Sequence, residues 1–133
     1  MNGVRAGLVL AVLLLANVVS AQPLIPVQDV SGIAGRWKGP AGPGAVGNNP
    51  AVIVEQTNNP DGTYEAVVVF SSGQRVPSKG TMKVQPDGTV AYEGQTTTGV
   101  YRLYVVNGQR VIRAEAKNKS NGAPSWVELT EVK

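Results

Sequence analysis

The segment TYEAVVVF, residues 63–70, alternates polar and apolar positions and is rich in β-branched side chains, the pattern of a half-buried strand. The same period, whole or partial, recurs in AVIVEQ (51–56), GTMKVQ (80–85), TVAYEG (89–94), VYRLYVV (100–106), QRVIRAEAK (109–117) and SWVELTEV (125–132). RWK around Trp37 forms a first short strand. No long stretch carries a helical period. Eight short strands joined mostly by turn signals predict an all-β domain. They suit an eight-stranded antiparallel up-and-down barrel, because closing a meander removes its exposed edges.

Turn chemistry punctuates the pattern. Pro-Asp-Gly-Thr occurs twice, at 60–63 and 86–89. Proline presets φ, aspartate can bond back to the backbone and glycine accepts positive φ. Each copy offers a single carboxylate, too few oxygens for a calcium loop, so both are read as hairpin turns. Asn107-Gly108 suits a type I′ turn and fixes register: Leu103 faces Ile112 and Tyr101 faces Ala114. On the opposite face Arg102 falls across from Arg113, an unfavourable pairing that a nearby glutamate (Glu115 or Glu128) or a bound anion would offset. Trp126 alternates with Val127 and is expected to face outward, beside those arginines.

Alternation also assigns an interior: Trp37, Ile53, Tyr64, Ala66, Val68, Phe70, Met82, Val84, Val90, Tyr92, Tyr101, Leu103, Val105, Ile112, Ala114, Ala116, Val127 and Leu129. Small barrels either fill that space with side chains or hold one small ligand.

The ends and the composition narrow the picture. Residues 1–21 read as a signal peptide: Arg5, an apolar run from Gly7 to Ala16, then small residues up to Ala21. Gln22 would begin the mature chain, 22–34 an extended arm with one short helical turn near 29–34, and 35–133 the barrel. Residues 39–50, nearly all Gly, Pro, Asn and Ala, are expected to form a long loop. Secretion without any cysteine fits a bacterial envelope or periplasmic protein better than a disulfide-stapled one. The net charge of +3 is too small to call for nucleic acid or an anionic membrane as partner, and nothing after the leader would insert in a bilayer. Histidine is also absent. That removes the commonest general base and metal ligand alongside the thiol nucleophile, so neither enzyme activity nor a cofactor or metal is expected.

Gly35-x-Trp37-x-Gly39, just after a possible helical turn and at the first strand, resembles the opening motif of lipocalins and related calycin-like barrels. The resemblance implies that Trp37 closes the bottom of the barrel and that an apolar cavity takes a small hydrophobic molecule. Trp37, Tyr64, Phe70, Tyr92, Tyr101 and Leu103 would then be its ligand-binding residues. Arg102, Arg113 and Trp126 form a candidate surface patch for an anion or a partner. The Thr-Asp motif, terminal helix and last-strand arginine over the tryptophan expected of lipocalins are absent. The outline is also similar to periplasmic inhibitors of secreted metalloproteases, whose N-terminal arm enters the protease cleft. That likeness implies a protein partner instead, with residues 22–34 as the arm. A purely structural envelope role is the third reading.

Overall fold

The computed structural model describes residues 23–42 and 52–133. The leader at 1–21, Gln22 and most of the expected loop at 39–50 lie outside the described residues. Eight strands follow in order: β1 Gly35–Gly42, β2 Val52–Asn58, β3 Thr63–Phe70, β4 Arg75–Val84, β5 Val90–Gly94, β6 Thr97–Val106, β7 Gln109–Asn118 and β8 Pro124–Glu131. Each pairs antiparallel with the next, and β8 returns to β1, closing the barrel. The eight-stranded closed architecture is the one the periodicity predicts.

The turns behave as their chemistry requires. Asp61 Oδ1 accepts from the Thr63 amide at 2.9 Å and its hydroxyl at 2.7 Å. Asp87 does the same with Thr89 at 3.0 and 2.6 Å. Gly62 and Gly88 take φ of 91° and 85°. Asn107 and Gly108 both have positive φ, and the β6–β7 ladder sets Leu103 opposite Ile112, Tyr101 opposite Ala114 and Arg102 opposite Arg113, as the two-residue turn dictates.

At one end the barrel is packed solid. Trp37, Ile33, Val90, Ile112 and Leu129 are essentially inaccessible there. A 3-10 turn, Val30–Ile33, is capped by Asp29, whose side chain accepts from the Ser31 amide. Ahead of it the chain lies on the barrel: the Ile25 amide donates to Leu103 O at 2.8 Å and the Val27 amide to Gly88 O at 2.9 Å. Val27 is buried.

The reason lies in β5, the shortest strand. It pairs with β6 only from Val90 opposite Tyr101 to Glu93 opposite Thr98. The remainder of β6, Arg102–Val106, extends past it, and Ile25 bridges to Leu103 in that notch. Ile25 and Val27 thus tie the leading segment to the barrel.

Two interior assignments need correction. Ile53 is 38% exposed, and β2 instead turns Val52, Val54, Gln56 and Asn58 inward. AVIVEQ is apolar on both faces, so alternation there cannot choose a register, and two interior positions are polar. Val105 is 42% exposed, because it sits opposite Arg110 at the end of the hairpin, beyond the packed layer.

Candidate ligand cavity

A cavity of about 310 Å³ occupies the other half of the barrel. Ala41 and Val52, which flank the undescribed 43–51 segment, line it together with Phe70, Ala116 and Val127. It also reaches the side wall. Above Gly80, opposite Gly94, β4 has no partner on its β5 side. Val76, Pro77 and Ser78 on one margin, and Gln95, Thr96 and Thr97 on the other, all line the cavity. Proline is tolerated in a strand where its missing N–H faces an unpaired edge. Arg75, Pro77 and Lys79 along that half-strand are what discourages another chain from pairing there.

Three tyrosines form the inner wall. Tyr92 and Tyr101 stack with centroids 4.2 Å apart, and Tyr64 meets Tyr92 edge-on at 6.2 Å. Tyr64 and Tyr92 have room because the positions beside them on the neighbouring strands are glycines. A Cβ on Gly80 or Gly94 would come within 2.6 Å of the Tyr64 hydroxyl, and one on Gly99 within 2.8 Å of the Tyr92 ring. Tyr64 sits opposite Gly80, and Tyr92 opposite Gly99. Burial pushes the Tyr64 phenol up to about 12. It raises Tyr92 and Tyr101 too, with the neighbouring phenols adding to the effect. All three therefore stand as neutral hydroxyls at ordinary pH.

Below them runs a polar relay that alternation does not predict. Ile33 O accepts from Trp37 Nε1 at 2.9 Å and from Asn58 Nδ2 at 3.0 Å. A carbonyl can only accept, so it fixes which way the Asn58 amide points. Asn58 Oδ1 then accepts from Gln56 Nε2 at 2.8 Å, and the same Nε2 donates to the Tyr101 hydroxyl at 2.9 Å. The Gln56 carbonyl oxygen is left with no partner among the described residues. The hydroxyls of Tyr64 and Tyr92 have none either, yet no sealed side-chain polar atom there is unsatisfied. These groups therefore lie open to the space beside them.

Of the six ligand-binding residues expected from sequence, Tyr64, Phe70, Tyr92 and Tyr101 line the cavity. Trp37 and Leu103 do not: Trp37 packs in the solid end and Leu103 under the N-terminal segment. Trp126 is 42% exposed and stands at the cavity's edge. Arg113 Nε donates to Glu128 at 3.0 Å, and its guanidinium lies 5.3 Å from the Tyr104 ring. Glu128 thus offsets the Arg102–Arg113 juxtaposition. No ion pair among the described residues involves Arg102.

Arg110, like Gln56 and Asn58, is a residue that sequence reasoning missed. From β7 its guanidinium lies 5.4 Å over the Trp37 ring, and it is clamped by both carboxylate oxygens of Glu131 and by Gly32 O. Its place two residues after the Asn-Gly turn, on the inward side with Ile112, was the available signal.

A wider cleft of about 800 Å³ crosses the outer faces of β1–β4, lined by Arg36, Lys38, Glu55, Glu65 and Lys79. Its charges are solvated, and Glu55 already serves Arg75 and Lys38. Exposed pairs of this kind contribute little, so the interior space is the better candidate. Among the described residues no group of three or more acidic side chains is placed to hold a metal. No family model, curated protein or solved structure matches the chain.

Proposed function

We propose that the protein is a non-catalytic binding protein of lipocalin-like build, exported to the periplasm or the medium after removal of residues 1–21, which holds one small apolar molecule in its barrel. The observation that carries this reading is the 310 Å³ interior space, at the lower end of the range of small-molecule sites, with buried hydroxyls left open to it. The cation over Trp37 supports the lipocalin-like part. The arginine absent from the last strand is supplied by Arg110 of β7, held in place by Glu131 of β8. The protease-inhibitor outline has less in its favour, since Ile25, Val27 and Ile33 are engaged by the barrel itself.

Native mass spectrometry of the exported protein tests the reading. A mass increment of a few hundred daltons or less is expected, lost in Ala116→Phe, which fills the cavity from β7. N-terminal sequencing of the same sample should begin at Gln22. Failure to retain or take up any apolar compound, by a folded protein, would refute the binding role.

A further inference from the structure

The lining of the cavity says what kind of molecule fits it. Among the described residues none of the side chains that line it is charged, and burying a lone carboxylate or ammonium without a partner costs far more than an apolar contact returns. A charged ligand has no counter-ion inside. Ser78, Gln95, Thr96, Thr97 and Ser125 line the space where it is partly or fully exposed to solvent. The polar groups deep within it are close to fully buried: Tyr64 at 4%, Tyr92 at 7% and Gln56 at 6% exposure. Each has an unpartnered oxygen among the described residues. Two are hydroxyls kept protonated by burial, and the third is a carbonyl whose direction is set by the chain of bonds from Ile33 O.

Size restricts the choice further. An apolar cavity of ~150 Å³ is enough for one benzene ring, so about 310 Å³ holds roughly two fused rings and no long acyl chain. Five of the side chains that line it are aromatic: Tyr64, Tyr92, Tyr101, Phe70 and Trp126.

The geometry points to a neutral, planar aromatic ligand of up to two fused rings, bearing one hydroxyl or carbonyl that bonds to Tyr64, Tyr92 or Gln56. This deepens the binding role proposed above and rests on it. The hydroxyls donate to an acceptor on the ligand, and the Gln56 carbonyl accepts from a ligand hydroxyl. The slot between Val76–Ser78 and Gln95–Thr97 gives such a flat molecule a side entrance.

The test uses four probes against the intact mature protein by isothermal titration calorimetry at neutral pH: 2-naphthol, naphthalene, 2-naphthoate and 1-decanol. We expect 2-naphthol to bind about fivefold or more tighter than naphthalene, in keeping with one or two net hydrogen bonds, and to exceed 2-naphthoate and 1-decanol by more. The Tyr64→Phe/Tyr92→Phe double variant should lose the preference for naphthol while keeping its affinity for naphthalene. Gln56→Leu, checked for folding by far-ultraviolet dichroism, is an independent second variant with the same expected result. Binding of naphthoate or decanol as tight as naphthol would overturn the ligand class alone. So would a preference that survives both variants. Absence of binding by all four probes would overturn the ligand class together with the binding role beneath it.

Discussion

Asn58 is 1% exposed, and its replacement by alanine isolates the relay beneath the tyrosines. Two hydrogen bonds disappear, to Ile33 O and from Gln56 Nε2. The losses are unequal. Ile33 O retains the Trp37 indole, so that bond costs about 1 kcal/mol net. The Gln56 amide loses the partner of one N–H in the interior, which costs about 1–3 kcal/mol. Asn58→Ala should therefore destabilise the protein by about 2–4 kcal/mol. Guanidinium unfolding followed by tryptophan fluorescence would show this as a lower midpoint with an unchanged slope. Asn58→Asp adds a sign. An ionised carboxylate there has no proton to give Ile33 O and is disfavoured by burial, so its folded pKa is raised. The variant should then be less impaired at pH 4 than at pH 7. A loss below about 1 kcal/mol for Asn58→Ala, or an Asn58→Asp variant that improves as pH rises, would refute the relay as a structural element.

The phenols predict alkaline behaviour. Their folded pKa values are raised, so the stability they contribute is complete below the ordinary phenol value near 10 and is lost as pH rises through it, toward about 12 for Tyr64. Ultraviolet titration should show three tyrosines ionising together with unfolding; ionisation of all four in the folded state near pH 10 would contradict their burial. At the acid end the Arg110 guanidinium lowers the Glu131 pKa, so this pair stabilises above the ordinary glutamate range and fades as pH falls through it. Arg110→Met should cost about 1–2 kcal/mol at pH 7 and less at pH 3, measured by urea unfolding at both; an equal cost at both would assign the effect to packing over Trp37. Deleting residues 22–28 removes buried Val27 and two backbone bonds to the barrel, an expected loss of about 3 kcal/mol. An unchanged thermal midpoint would show that these contacts carry no stability.

The fold was legible wherever the local chemistry admits a single answer. Asn107-Gly108 fixed ten residues of register on either side, and Pro-Asp-Gly-Thr marked two hairpins. Elsewhere local rules conflicted with the tertiary outcome. RVPSK, residues 75–79, lies outside the segments that read as strands, and it is in fact half of β4, the half that has no neighbour on its β5 side. The same absence opens the cavity wall, so the least strand-like stretch marks the most informative place in the sheet. Gln56 and Asn58 are not among the interior positions that alternation assigns, and polar side chains are seldom buried. The Ile33 carbonyl, which accepts from Asn58, and the Tyr101 hydroxyl, which accepts from Gln56, make burying them tolerable. Tyr64, Tyr92 and Tyr101 could be placed inside by alternation, whereas Trp37 and Leu103 could not be separated from them. Which end of a barrel is packed depends on what covers it, and the covering segment lies far away in sequence.

The shortness of β5 leaves two offsets in the cylinder, one on each side of a five-residue stave. One is closed by the chain's own leading segment, and the other is left as a gap bounded by Pro77. A barrel of uniformly long staves must unzip a complete seam before its contents can leave. Here the unpaired seam lies apart from the long β6–β7 and β7–β8 ladders, so for a molecule held as proposed above, exchange through it and global unfolding would be separate events with separate barriers.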